Sequence, residues 1–228
     1  MRIATFALCA LILAGCAQYQ GKPITPSAVD REAETAPTLA PNQGLVAFSM
    51  ASDPHRGSSL LLGDIEGDPG YIVTLQVENI ATGARFQFRE NSNFVAFLTL
   101  GLANSDDFEM GSVYTHSLPA GDYRITNFRV YYNNGSVEKT WYGRAEFSIP
   151  FQVNEQGRHY IGEWRCLPRK AENIFGMSIA SGCTFAVSDE FERDAPLLKA
   201  KFPSIDWSQL SNDTMRAGDA PPELVTFR

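Results

Sequence analysis

The sequence predicts a mainly β protein, an antiparallel β-sandwich with a C-terminal helix. Apolar and polar residues alternate with a period of two in several separate segments, which is the pattern of half-buried strands. Clusters of Gly, Asn, Asp and Pro separate these segments at short intervals, as in all-β folds. Only one segment, residues 188–203, has a helical pattern instead.

Four segments before residue 101 are predicted to be strands: 44–50, 71–78, 85–89 and 94–100. The second of them has the cleanest alternation in the chain, with Tyr71 and Val73 on one side. Turn residues at 79–83 separate it from a hairpin partner that contains Phe86 and Phe88. Long polar loops at 51–70 and 101–112 have no assigned role.

The segment LPAGDY at 118–123 predicts a tight turn before a long strand that ends at Tyr132. The apolar phase changes within this strand, which places a β-bulge near Thr126 and Asn127. The segment NNGS at 133–136 predicts a hairpin turn, because Asn and Gly tolerate positive φ. Four strands are expected to follow: 137–142, 145–153, 158–166 and about 177–187. Pro150 lacks an N–H, so the strand containing it is expected at an edge or bulged.

The predicted helix has Ser188 as its N-cap and ends before Pro203. Pro196 lies inside it and is expected to kink or split it. The expected buried side is formed by Phe191, Leu197, Leu198 and Phe202. In the tail that follows, Trp207 and its apolar neighbours can dock, whereas the last residues, around 221–222, are expected not to.

The first 16 residues have the layout of a secretory signal. Arg2 supplies a positive charge, and an apolar run of 12 residues follows at 3–14. The run is too short for a membrane-spanning helix, which needs about 20 residues. The segment LAGC at 13–16 resembles the lipobox of bacterial lipoproteins, which implies that Cys16 carries palmitate or similar acyl chains and anchors the chain in a membrane. An ordinary secretory signal or a membrane anchor is the alternative.

The resemblance to lipoproteins also suggests a location. Ala17 follows the lipidated cysteine, and lipoproteins kept in the inner membrane often have Asp there, so we expect the outer membrane, facing the periplasm. The expected domains are a signal peptide at 1–15, the lipidated Cys16 with a flexible tether at 16–43, a sandwich domain at 44–203 and a tail at 204–228. Pro-rich, weakly apolar segments such as the tether do not bury enough to fold.

The composition limits the classes of partner that the chain can bind and predicts the state of its cysteines. The formal net charge is -7 and the basic residues are scattered, so the chain has no general attraction for nucleic acid. Once the signal is removed and Cys16 is lipidated, Cys166 and Cys183 remain. Two cysteines in an oxidising compartment predict one disulfide, with two separate buried thiols as the alternative.

The turn at 118–123 looks like the Leu-Pro-x-Gly-x-Tyr turn of transthyretin-like and carboxypeptidase-regulatory-like sandwiches. The segment GRHYIG at 157–162 is similar to a strand in uncharacterised bacterial lipoproteins of that architecture, and the helix at 188–203 looks like their ending. The resemblance covers roughly residues 94–203 and implies a prealbumin or immunoglobulin-like sandwich. Those families have no assigned activity to carry over.

Candidate catalytic residues are few. His55, His116 and His159 have no second His or Cys at helical spacing, so we expect packed or solvated histidines. The carboxylates Asp64, Glu66 and Asp68 alternate as in a calcium loop, but Pro69 stands where the EF-hand requires Gly. Ser178 follows Gly176 at the spacing of a nucleophile elbow, but Ala180 replaces the second glycine and no helix is predicted to follow. We therefore expect no cofactor, no metal and no catalysis, while paired carboxylates leave a hydrolase as an alternative.

Four aromatic residues flank the predicted hairpin turn: Tyr131, Tyr132, Trp141 and Tyr142. Neighbouring strand residues point to opposite faces, so one of each pair is expected to point outward. An exposed pair there can stack on a ligand or grip a partner, whereas core and cross-strand packing is the simpler interpretation. We expect a non-catalytic envelope module that binds or assembles with an envelope protein, and alternatively a small-ligand or glycan binder.

Overall fold

A computed structural model describes residues 31–32, 39–52, 71–89, 110–133, 138–143, 145, 147–172 and 178–228. Several predicted features lie outside these residues: the signal, Cys16, His55, the carboxylates at 64–68, the strand at 94–100 and residues 134–136 of the predicted hairpin turn. In the described part of the chain, no helix is long and apolar enough to cross a membrane.

The described residues form a mainly β structure with two six-stranded sheets. The first sheet contains β1 (Arg31–Glu32), β3 (Tyr71–Asn79), β4 (Arg85–Arg89), β6 (Gly121–Asn133), β7 (Glu138–Tyr142) and β8 (Ile149–Val153). Its order is β1-β4-β3-β6-β7, and β8 also pairs with β6. The second sheet contains β2 (Gln43–Ser52), β5 (Met110–Pro119), β9 (Arg158–Glu172), β10 (Ser178–Ser188), β11 (Leu210–Asn212) and β12 (Val225–Phe227). Its order is β12-β10-β9-β2-β5, and β11 also pairs with β9.

Antiparallel pairs predominate, but the second sheet is mixed. Its central strands β2 and β9 run parallel, as do β10 with β12 and β11 with β9. Alternation of side chains does not distinguish parallel from antiparallel pairing, because both have a period of two. The expectation of antiparallel sheets was therefore wrong for these pairs, and in the first sheet β1 also runs parallel to β4.

Buried apolar residues of both sheets form one cluster. It includes Phe48, Trp164 and Phe185 from the second sheet, and Leu75 and Phe128 from the first. Each sheet therefore buries one face against the same core.

The predicted disulfide is confirmed. Cys166 on β9 and Cys183 on β10 are bonded, with their Cα atoms 5.3 Å apart. Both side chains are buried within the common core. The bond therefore links two neighbouring strands of the second sheet.

The predicted bulge in β6 is confirmed. The register between β3 and β6 shifts at Gln76 and Val77, whose partners Asn127 and Ile125 skip Thr126. The strand with Pro150 is shorter than expected, and among the described strands it pairs only with β6. Pro150 is exposed, which agrees with an edge position.

Two regions differ from the sequence-based expectation. Strand β5 was missed, because its polar residues resemble a loop, although Tyr114, His116 and Leu118 alternate inward to the core. The last residues do dock: Val225–Phe227 pairs with β10 as a parallel strand. Leu224 and Val225 are buried there, so two apolar side chains after the prolines were enough to hold the terminus.

The helix α1 (Phe191–Lys201) begins later than expected. Ser188 is not its N-cap; Glu190 holds that position without a side-chain capping bond, and Asp189 accepts the Phe191 N–H at 3.2 Å. Pro196 lies inside the helix and does not split it. Leu198 is fully buried on the helix face that packs against the second sheet.

Candidate binding surface

The alternation in β3 shows which residues lie on the outer face of the first sheet. Val73, Leu75 and Val77 point into the core and are buried. The residues between them therefore point to the other side of the sheet, away from the core. Helix α1 contacts β2 and β5 of the second sheet, so it does not lie over this outer face.

The hairpin of β6 and β7 divides its aromatic residues between the two faces. Trp141 pairs in register with Val130, which is fully buried, and Trp141 packs against the core. A Cβ at Gly182 on β10 would meet the Trp141 ring at 3.2 Å, and Gly182 has a φ of +99°. Trp141 therefore reaches from the first sheet to the second, where a larger residue at position 182 would both crowd its ring and strain the backbone.

Tyr131 and Tyr142 point to the opposite side from Val130 and Trp141. Both rings are half-buried. The inference that one member of each aromatic pair points outward therefore selects these two tyrosines, although their use in binding stays a prediction. The side chain of Tyr132 lies outside the described part of the structure.

A row of partners crosses four strands beside these tyrosines. Thr74 on β3 has Arg89 on β4 and Arg129 on β6 as its Cα partners, and Arg129 has Tyr142 on β7. Thr74 is almost fully buried, while Arg89 is exposed. The Arg129 guanidinium donates a hydrogen bond to the Thr74 hydroxyl at 3.3 Å. Adjacent strands are about 4.8 Å apart, so the row extends over about 14 Å.

The next row along the strands contains Ile72, Tyr131 and Thr140. We call the two rows together the basic–aromatic face; its residues are Ile72, Thr74, Arg89, Arg129, Tyr131, Thr140 and Tyr142. Its described residues include two guanidinium groups and no carboxylate. Glu138 follows at the end of the hairpin.

At the other end of the same sheet, the arginines are paired with a carboxylate. There Glu78 forms ion pairs with Arg124 at 2.6 Å and with Arg85 at 3.5 Å. Two arginines thus share one carboxylate. The contrast shows that the arginines on this sheet do not all serve the same purpose.

The outer face of the second sheet has the opposite character, because α1 covers it. We call it the covered face; its polar residues are Ser49, Tyr160, Glu163, Arg165, Arg193 and Asp194. Asp194 is fully buried, and its carboxylate accepts hydrogen bonds from Ser49 and Tyr160 at 2.5 Å and from Arg193 at 2.8 Å. Each carboxylate oxygen therefore has a donor.

Glu163 completes this network and is also buried. It accepts from Arg193 at 2.6 Å and from Arg165 at 2.9 Å. Burial, together with the charge of Asp194, raises the pKa of the Tyr160 phenol far above its ordinary value. The phenol therefore stays protonated and continues to donate to Asp194 at all pH values near neutrality.

Gly162 is the residue that makes this arrangement possible. Its φ is +104°, a conformation that glycine adopts without steric cost. The alternation of β9 changes phase there: Tyr160 faces the helix, whereas Trp164 lies in the core. Unbroken alternation through the predicted strand at 158–166 would have placed Tyr160 on the same face as Trp164.

The two described histidines are packed. His116 stacks on Phe88 at 4.9 Å and on Phe48 at 5.7 Å between ring centroids. His159 lies next to Asp213 at 2.6 Å, and Ser211 donates to the same carboxylate at 2.5 Å. The His159 Nε2 atom accepts the Asn154 N–H at 3.0 Å. This Ser, His and Asp set thus differs from a nucleophilic triad, in which that nitrogen takes the serine proton.

Two further features of the described residues bear on a binding site. No group of three or more His, Cys, Asp or Glu residues there is arranged to hold a metal ion. A groove of about 470 Å³ lies between α1 and the segment after it, lined by Phe191, Pro196, Pro203, Trp207 and Leu210 among others. Trp207 is fixed at its edge by a hydrogen bond to the Phe202 carbonyl at 3.0 Å.

The comparisons with known proteins do not identify a family. No family model matches the chain, and no curated protein does. A crystal structure of a leucine-rich repeat protein from Bacteroides thetaiotaomicron has 15% identity and a TM-score of 0.30 over 54% of this chain. The matched region is only 13% of that protein, and a similarity this low supports no argument about fold or function.

Sequence reasoning missed the polar residues on both outer faces. Arg89 and Arg129 fall at outward positions of predicted strands, so alternation alone would have placed them beside the tyrosines. Asp194 gave no comparable signal, because an acidic residue in the first turn of a helix is ordinary. Its burial depends on the approach of Ser49 and Tyr160 from distant strands.

Proposed function

We propose that this chain is a non-catalytic, lipid-anchored module of the bacterial envelope, which binds a partner through the basic–aromatic face. The observation that carries the proposal is the pair of outward tyrosines beside two arginines on a face that α1 does not cover. Aromatic and Arg side chains are the residues most enriched in binding hot spots. In a chain with a net charge of -7, a local group of arginines also has a specific use in attracting a partner.

The proposed fold is a β-sandwich of the prealbumin or immunoglobulin-like kind. Both sheets contribute to one core, as sandwich sheets do. The Tyr123 hydroxyl donates to the Pro119 carbonyl at 2.7 Å, four residues upstream. This contact is similar to the tyrosine corner of immunoglobulin-like domains, and it gives the turn at 118–123 a structural purpose.

The proposed anchor is Cys16, which attaches the chain to the outer membrane on its periplasmic side. The buried disulfide supports an oxidising compartment. The test is Cys16→Ser: the wild type should incorporate labelled palmitate and sediment with membranes, and the variant should do neither. A wild type that incorporates no palmitate would contradict the anchor without affecting the binding surface.

The binding surface is tested in intact cells with a photo-crosslinking amino acid at Thr140. This residue is exposed and lies between the two outward tyrosines. The matched control places the same amino acid at Glu192, which is exposed on α1 above the covered face. We expect crosslinked products of higher mass from position 140 and not from position 192. Equal products from both positions, or none from position 140, would reject the proposed surface.

A further inference from the structure

We infer that the basic–aromatic face binds an acidic polysaccharide, with Arg89 and Arg129 on its carboxylate groups and Tyr131 and Tyr142 against its sugar rings. This inference rests on the proposed function, since it names the class of ligand for the same face. It rests on three features of the described residues: uncompensated positive charge, outward aromatic rings and scarce aliphatic surface.

The positive charge of the face favours an anionic ligand. Arg89 and Arg129 are both partners of Thr74 in the sheet. No described carboxylate lies in their row or in the adjacent one, whereas Arg85 and Arg124 share Glu78 on the same sheet. A guanidinium presents a planar fork of donors that matches a carboxylate. Two such forks on either side of a buried threonine favour a ligand with repeated carboxylates.

The tyrosines favour a ligand with rings. Tyr131 and Tyr142 lie diagonally across β6 and β7 on the outer side of the sheet. The face of an aromatic ring carries partial negative charge, and the C–H groups on one side of a pyranose carry partial positive charge. The row of about 14 Å across four strands is longer than a single sugar ring. A polymer therefore makes more contacts here than a monosaccharide.

A protein partner fits this face less well. The buried centre of a protein interface is about 65% apolar and depleted of charged residues, but six of the seven side chains that define the face carry a hydroxyl or a guanidinium, and only Ile72 is wholly apolar. The others offer hydroxyl and guanidinium groups, which suit the dense hydroxyl pattern of a saccharide. Acidic protein partners therefore become an outcome that the test has to exclude.

The experiment measures binding of the full mature chain in detergent to three polymers. Polygalacturonate is the acidic saccharide, its methyl ester is the neutral saccharide with the same rings, and poly-glutamate is an acidic polymer without rings. We expect polygalacturonate to bind at least tenfold more tightly than either of the others. Equal binding of the ester would show that the arginines are not used, and equal binding of poly-glutamate would show that the tyrosines are not. Either result overturns the inference, as does no binding of polygalacturonate.

Two arginine variants test whether polygalacturonate binds at the basic–aromatic face. Arg89→Gln should weaken binding of polygalacturonate about tenfold, since one charge-assisted contact is lost. Arg85→Gln is the matched control, because it lies on the same strand and outer face with its guanidinium directed at Glu78. We expect less than a twofold change for the control. Equal effects of the two variants would indicate general electrostatic attraction and would overturn the assignment.

Failure of this inference remains distinguishable from failure of the proposed function. Crosslinks at position 140 together with no preference for polygalacturonate would retain the surface and reject the acidic polysaccharide. Absence of those crosslinks, with tight and Arg89-independent binding of the polymer elsewhere, would reject both. Melting temperatures of each variant show whether any loss of binding reflects a loss of folding.

Discussion

The outer faces of the two sheets are both polar, yet their polar groups are used in opposite ways. On the covered face, Asp194 and Glu163 are buried and every hydrogen bond joins the helix to strands of the second sheet or joins neighbours within that set. On the basic–aromatic face, Arg89 is exposed, and among the described residues the half-buried Arg129 side chain donates only to the Thr74 hydroxyl. The first set of charges is paired inside the fold, and the second has no carboxylate partner in the described part of the chain.

This difference between the two faces separates charges that stabilise the fold from charges that are available for binding. A buried carboxylate is tolerated only when donors satisfy it, and the whole unit is then sensitive to the loss of any member. Exposed charges contribute little to stability. A change on the covered face should therefore alter folding, and the same change on the basic–aromatic face should alter binding alone. Four predictions test this distinction, in order of decreasing effect.

The largest effect is expected for Asp194→Ala. Removal of this carboxylate leaves the Arg193 guanidinium, the Tyr160 phenol and the Ser49 hydroxyl without their acceptor. Breaking a buried pair by deleting one partner costs about 3–5 kcal/mol. Urea unfolding of the variant and the wild type measures the difference.

The matched control for Asp194→Ala is Glu192→Ala. Both residues are acidic and lie in the first turn of α1, but Glu192 is exposed. Its loss should change the free energy of unfolding by less than about 0.5 kcal/mol. A loss below about 1 kcal/mol for Asp194→Ala would mean that the network does not hold the helix on the sheet.

The second effect concerns the covalent link within the second sheet. Replacing both Cys166 and Cys183 by Ala should lower the free energy of unfolding by about 3 kcal/mol, because the unfolded chain loses a closed loop. Reductant should destabilise the wild type and leave the double variant unchanged. If reductant has no effect on the wild type under denaturing conditions, the two thiols are not paired in the purified protein.

Most strands were predictable because burial on one face imposes a period of two. The alternation in 71–78 correctly predicted β3, and the change of phase within β6 correctly predicted its bulge. The same rule selected Tyr131 and Tyr142 as the outward members of the aromatic pairs once one partner was known to be inward. Local pattern thus determined which face a side chain occupies.

Contacts between distant segments were not predictable. The parallel pairing of β2 with β9 leaves no trace in either strand, and the docking of β12 depends on an open edge of β10. The reversal at Gly162 moves Tyr160 to the covered face. A single glycine in a strand does not by itself predict which residues change face. The network around Asp194 requires the pairing of β2 with β9 and the reversal at Gly162, because Ser49 and Tyr160 reach the carboxylate from those strands. It was therefore found only in the structure.

The third prediction uses pH to examine the covered face. Tyr160→Phe removes a hydrogen bond to a buried charge, which is worth about 1.5–3 kcal/mol. The pKa of Tyr160 is raised in the folded protein, mainly by burial, from an ordinary value of 10.0. Above pH 10 the unfolded chain loses this proton while the folded protein keeps it, so the stability of the wild type falls as pH rises.

The pH experiment compares the two proteins between pH 8 and pH 11. The advantage of the wild type over Tyr160→Phe should be fully present below about pH 10 and should shrink above it. Tyr123, whose pKa is also raised by burial, is present in both proteins, so its contribution cancels. Parallel curves across the whole range would show that the Tyr160 phenol is not protected in solution.

The smallest effect on folding is expected on the basic–aromatic face. There the loss of one arginine charge can be compared with the loss of an arginine charge on the covered face. Arg89→Gln should change the free energy of unfolding by less than about 0.5 kcal/mol, because Arg89 is exposed. Arg193→Gln removes the same charge from the network with Asp194 and Glu163, so it should cost about 3 kcal/mol or more. Both values come from the same urea titration. If the two arginines cost the same, the basic–aromatic face belongs to the architecture, and the separation of structural from functional charges no longer holds for this protein.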